Sequence, residues 1–226
     1  HTPRPALCPL TTAAPMPEKL AGQRVRACLT LLDETGTPLD QRRGELLFTA
    51  DGVSGIAAMQ LARSVRPGHI LSIDLTEALT GSPGTDAAQW LRLRLERLGD
   101  RSAARFFTGA AVPALAEVIF RQAGLSMDER RASSWNFTEV QALSRAVRDL
   151  RLSLSGVRGF DAAQVTAGGI DASEFDPITM ESRLVPGLYA AGELLDVDGD
   201  CGGYNLLFAF ATGLAQQGNY RRSAEG

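Results

Sequence analysis

The residues best suited to hold a ligand lie between Val185 and Gly213, in VPGLYAAGELLDVDGDCGGYNLLFAFATG. Pro186-Gly187 makes a turn, Leu188 to Ala191 is an apolar run of strand length, and Gly192-Glu193 ends it. Asp196 to Gly203 is a loop that mixes glycines with acids. From Tyr204 the chain is apolar almost without a break, which predicts a buried helix starting near Asn205. A strand, a glycine-rich loop and a helix N-terminus together bring backbone close to a ligand and aim free N–H groups at it. On these residues alone, a turn and a core helix without any ligand is the competing reading. Other chemistry is poorly served. With two histidines, one of them terminal, no Ser-His-Asp set can form, and His69 beside a turn reads as a surface histidine. Tyr204 carries the loop's one aromatic hydroxyl and is expected to be structural.

The bulk properties bound the rest. A chain of 226 residues, 44% apolar and 22% charged, can bury a real core as one large or two small soluble domains. A net charge of −3 gives no global drive toward nucleic acid or anionic lipid. No charge-free apolar run reaches membrane-spanning length, so no membrane helix is expected. The opening HTPRPALCPL has no Met, no basic segment and no apolar core; it is not a signal peptide, and the chain is expected to begin inside a longer protein. Cys8, Cys28 and Cys201 are far apart and odd in number, which fits a reducing, cytoplasmic setting rather than a disulfide framework.

The elements that must position the loop follow in order. Five prolines in residues 1–22 forbid helix there. Arg24 to Leu32 alternates as a half-buried strand, Asp33 to Gly36 turns, and Glu45 to Thr49 is a second strand. Asp51 to Gly55 reads as a loop feeding a helix, with Ser54 as its N-cap; an ordinary capped turn and an anion site are both open. His69 to Leu75 alternates as a third strand. Residues 76–150 form a helical subdomain. Apolar stripes predict helices over Ala87–Leu98, from Pro113 to near Gly124, and over Glu139–Leu150 with Thr138 as N-cap. Its arginines interleave with acids, which favours a solvated face. Leu152 and Leu154 restore strand alternation and are expected to pair with the earlier strands around the helices. Gly168-Gly169 after a short strand allows close backbone approach.

Several of these stretches together carry a resemblance. RPAL with PL at residues 4–10, GELLFT at 44–49 with GVSG at 52–55, VTAGGI at 165–170, TMESRLVPGLYAAGELLDVDG and GGYNL occur in this order along the chain. They resemble the YhiN/HI0933-like group of bacterial flavoproteins, NAD(P)/FAD-dependent oxidoreductases. Two positions depart from that group, which usually has His after GELLFT and Pro after the Ser-Gly; Ala50 and Ile56 stand there. Any role of that histidine is therefore in doubt, and no catalytic acid or base is named. The group's GxGxxG unit is also absent from these residues.

The resemblance implies an α+β fold: a small β-barrel-like insert with a helical subdomain, then the C-terminal segment of a three-layer FAD-binding domain. The expected boundaries are 1–157 for the insert (strands 24–75 and 151–157 around the helical subdomain 76–150) and 158–226 for the FAD-domain segment. It further implies that Gly168, Gly169, Gly192, Glu193, Gly202, Gly203, Asn205 and Leu206 contribute to FAD binding, and that no metal is needed. Gly192 and Glu193 would lie near the ribityl chain and pyrophosphate, Gly202-Gly203 under the ring, and the Asn205 and Leu206 N–H groups at the flavin N1/O2 edge. NAD(P)H would be the reductant. The substrate would be an electron-poor C=C or C=O, in a steroid-like enone or an rRNA uracil ring. The expected partner is the missing N-terminal half of the same protein. The competing expectation is a non-catalytic recognition or lid fragment that holds no FAD on its own.

Overall fold

The structure is a computed structural model that describes residues 1–224, with side chains to 216. Its strands are β1 (Arg4–Ala6), β2 (Leu10–Thr12), β3 (Arg24–Leu32), β4 (Pro38–Thr49), β5 (Gly52–Ser54), β6 (Ile70–Asp74), β7 (Leu150–Val157) and β8 (Val165–Ala167). Its helices are α1 (Ile56–Leu61), α2 (Thr76–Thr80), α3 (Ala87–Leu98), α4 (Pro113–Gln122), α5 (Phe137–Arg148) and α6 (Tyr204–Ala224). The chain divides into two compact units, residues 10–156 and residues 1–9 with 157–226. The first nine residues thus leave the unit expected at 1–157. The reason is backbone pairing: β1 runs antiparallel to β8, Arg4 opposite Ala167 and Ala6 opposite Val165.

The 10–156 unit is a closed barrel in the order β2-β5-β4-β3-β6-β7. Alternation in β3 turns Ala27, Leu29 and Leu31 inward, where they are buried with Leu46, Phe48, Val53, Leu71 and Ile73. The β3–β4 turn is held by Asp33, whose carboxylate accepts the N–H groups of Thr35 and Thr37, both at 2.8 Å. The loop expected at Asp51–Gly55 is largely strand. β5 pairs with both β2 and β4, so its backbone is committed to the sheet and offers no anion site. Ser54 does not cap α1: the N-cap is Gly55 at φ 92, where a Cβ would meet the Glu45 carbonyl oxygen at 2.5 Å.

The helices lie between β6 and β7, and β7 returns to pair antiparallel with β6, Ile70 opposite Ser153. Their core is aromatic. Phe106, Phe107, Phe120 and Trp135 meet edge to face at centroid distances of 4.8 to 5.7 Å. Asn136, not Thr138, caps α5. Its side chain accepts the Glu139 N–H at 3.0 Å, and Glu139 accepts the Asn136 N–H at 2.8 Å, a reciprocal capping box. The helix ends at Arg148, and Leu150 belongs to β7.

In the other unit, Leu188–Ala191 does not become a strand. Tyr189 makes one isolated bridge to Glu181, because no neighbouring strand extends the ladder, and a 3-10 turn follows over Gly192–Leu194. The core is small: Phe175, Met180, Ala190 and Leu195, with Phe208 and Ala215 of α6 against them. Asp176 fastens the turn before Met180 by accepting from the Ile178 and Thr179 N–H groups, each at 2.9 Å. Among the described side chains of α6, the expected burial holds on one face only. Thr212 is buried, whereas Leu206, Leu207, Phe210 and Leu214 are 66–68% exposed. Among the described residues no helix is long and apolar enough to cross a membrane, and none of them form a metal-binding cluster.

Two outcomes follow from these contacts. Asn136→Ala removes the capping box and should cost about 1 kcal/mol, read as a lower urea midpoint. The Asp176 carboxyl is held below the usual range by the Thr179 and Ile178 N–H groups. A folded pKa below the unfolded one gives stability that is present above the ordinary Asp value of about 3.9 and is lost as pH falls through the lower folded value. Asp176→Asn should therefore flatten the acid limb of a midpoint-against-pH curve relative to the parent chain.

Candidate functional site

Within the 1–9/157–226 unit, a cavity of about 330 Å³ lies at the start of α6. Its wall combines Leu7, Gln164 and Val165 with Glu193, the loop residues Cys201 to Gly203, and Asn205 and Leu206. The loop is shaped by its glycines. Gly202 and Gly203 have φ of 137° and 91°, in the range that L side chains rarely adopt, and a Cβ on Gly203 would point into open space. The Asn205 side chain closes the loop: its Oδ1 accepts the Gly199 N–H at 2.8 Å and its Nδ2 donates to the Gly199 carbonyl at 3.0 Å. The first main-chain bond into α6 is from Leu207 N–H to Gly203 O at 2.9 Å. The N–H groups of Tyr204, Asn205 and Leu206 precede it, and two of these residues line the cavity. The positive end of the helix dipole therefore faces the cavity.

Five of the eight residues picked out from sequence meet at this cavity: Glu193, Gly202, Gly203, Asn205 and Leu206. The Glu193 carboxylate accepts the Thr166 N–H and so ties the 3-10 turn to β8. The remaining three are not in the lining; they bring the chain close to itself. A Cβ on Gly168 would lie 2.4 Å from the Thr2 carbonyl oxygen, and one on Gly169 would lie 2.5 Å from that of Leu194. The Gly168 N–H donates to Asp196 at 2.9 Å. Gly192, at φ 65, is buried against Ala209, and its N–H donates to the Thr212 hydroxyl at 2.9 Å. Tyr204 packs over its own loop, its ring 3.4 Å from a Cβ placed on Gly202.

Sequence reasoning missed Leu7, Gln164, Val165 and Cys201. The first three reach the wall through the β1–β8 pairing across some 160 residues of sequence, which no local pattern reports. Leu7 is a buried non-glycine residue at φ 45, a costly backbone state whose residue type gives no warning.

Comparison with known proteins gives the family. The family model described as the HI0933-like protein Rossmann domain matches residues 54–218, and the chain belongs to that family. It is 35% identical over 182 residues to the 3-dehydro-bile acid delta(4,6)-reductase of Clostridium scindens, covering 77% of this chain and 43% of that protein. It is 34% identical over 215 residues to the ribosomal RNA dihydrouridine synthase of Escherichia coli, covering 94% and 50%. The Haemophilus influenzae protein of the same name is 30% identical over 177 residues, covering 76% and 41%. The chain thus spans about half the length of these relatives or less. Within residues 54–218 the one parallel pairing among the described residues is the bridge between Ile170 and Leu195.

The two kinds of glycine separate by substitution. Gly168→Ala and Gly203→Ala both place an L side chain at positive φ, at a cost of about 1–2 kcal/mol. Gly168→Ala adds a backbone clash that Gly203→Ala does not. Urea unfolding should show the larger loss for Gly168→Ala.

Proposed function

We propose that this chain is the insert and the closing segment of the FAD domain of a cytoplasmic flavin-dependent oxidoreductase. The observation that carries this reading is the cavity at α6, where Gly202 and Gly203 adjoin the free N–H groups at the start of a long helix. The residues present suit the electron-rich edge of a flavin ring. Asn205 and Leu206 would offer it their N–H groups, Gly202 and Gly203 would pass beneath it, and Leu7 and Val165 would supply an apolar wall. Glu193 has its carboxylate engaged with Thr166, so its part is to fix the turn rather than to move a proton. When bound, FAD would supply hydride transfer from NAD(P)H to an electron-poor C=C or C=O. The relatives' names support two substrate types, a steroid-like enone and the uracil ring of ribosomal RNA. Gly168, Gly169 and Gly192 contribute at one remove, by letting the chain fold tightly behind the cavity.

The same unit favours a second statement, that the chain alone does not retain FAD. The outer face of α6 is apolar and exposed, the relatives are about twice as long, and the three-layer domain would be completed by their N-terminal half. That half is the proposed partner. Purified alone, the chain should be colourless; mixed with the N-terminal half of the Escherichia coli relative, it should take up FAD and show the visible flavin band. Gly203→Val, which fills the space under the ring, should prevent uptake without preventing association of the two halves. Association without flavin in the parent pair would sink the proposal.

A further inference from the structure

A second candidate site lies within the 10–156 unit. Two cavities of about 460 and 210 Å³ adjoin there and share Gln122 and Arg151. The larger lies within the size range of small-molecule pockets. Its floor is apolar, with buried Met16, Val118 and Leu150. Its rim is cationic: Arg121 and Arg151 line the larger cavity, and Arg145 and Arg151 the smaller. The carboxylate in the lining is Asp149, and it is engaged: it accepts from Arg151 Nε at 2.9 Å and from the Ser72 hydroxyl at 2.7 Å. Arg121 and Arg145 have no side-chain partner among the described residues, and both are exposed.

The backbone adds a donor. Leu154 N–H bonds to His69 O on the β6 side, whereas Ser153 O accepts the Ala13 N–H on the opposite side. Alternation along β7 therefore turns the Arg151 N–H away from β6, toward the segment that has left the ladder after Ala13. Pro15 follows in that segment and has no N–H of its own. An apolar floor, the unpaired Arg121 guanidinium and a main-chain donor meet in the larger cavity, and Arg145 lines the smaller one that adjoins it.

We propose that this groove binds a small amphipathic carboxylate, with its alkyl or ring body over Met16 and Val118 and its carboxylate between Arg121 and the Arg151 N–H. Charge complementarity selects this occupant: a neutral apolar molecule would leave the arginines unused, and a hydrophilic anion would leave the floor uncovered. The reading does not depend on flavin binding.

The probe is sodium octanoate, titrated into the isotope-labelled 226-residue chain and followed by amide and methionine-methyl NMR shifts. Saturable shifts are expected at Met16, Val118, Arg121 and Arg151. Octan-1-ol, which has the same body without the charge, should bind there about tenfold more weakly. Arg121→Glu should weaken octanoate by about tenfold or more, and Arg145→Ala by less. Because these side chains are on the surface, the unperturbed amide spectrum of each variant reports that the barrel is intact. Equal affinity for the acid and the alcohol, or octanoate shifts confined to the outer face of α6, would overturn the proposal.

Discussion

Two side-chain clamps set the position of the α6 N-terminus, and the candidate site depends on both. The Thr212 hydroxyl accepts the Gly192 N–H and donates to the Phe208 carbonyl at 2.7 Å, which joins the 3-10 turn to the helix. Asn205 grips both main-chain groups of Gly199 and so fixes the length and path of the loop between them. Thr212 is buried, so losing either partner would leave a polar group without solvent, and the clamp is costly to break. With the turn and the loop both held to the helix, the free N–H groups at its start face a cavity of defined shape. A ligand there would meet donors already in place.

The other unit solves a different problem. A barrel must close its sheet, and the closing strands β6 and β7 are separated by 75 residues of helical chain. The helices are not loosely appended: Leu75 N–H bonds to the Val147 carbonyl at 2.8 Å, and Asp149 reaches the Ser72 hydroxyl. The excursion leaves and re-enters the barrel at one place, with an aromatic core of its own behind it. That shared exit and return also forms the cationic groove, because the C-terminal ends of α4 and α5 come down beside the start of β7.

Much of the barrel was legible because its signals are local. Alternation along Arg24–Leu32 marks β3 to the residue, and Pro113 marks the first turn of α4. The misreadings share one cause, competition decided by a neighbour. Gly52–Ser54 reads as a capped loop until β2 and β4 are placed on either side of it. Thr138, with Gln141 three residues on, fits the capping-box pattern by type, but Asn136 is the better cap and the reciprocal pair forms between Asn136 and Glu139. Leu188–Ala191 has a strand's composition without a strand's partner.

For the candidate site, sequence by itself determined the backbone chemistry. The glycines at 202 and 203, the helix from Tyr204 and the family motifs are properties of consecutive residues, and they indicate where a ligand could approach. Tertiary structure alone decided which glycines line the cavity. Gly168, Gly169 and Gly192 carry the same local signal as Gly202 and Gly203, yet their missing side chains make room for Thr2, Leu194 and Ala209. Positive φ is written in residue type, but what occupies the space beside it depends on segments far away in sequence. The apolar composition of α6 likewise calls for cover on all sides, while packing among the described residues covers the face of Phe208, Thr212 and Ala215 and leaves Leu206, Leu207, Phe210 and Leu214 exposed.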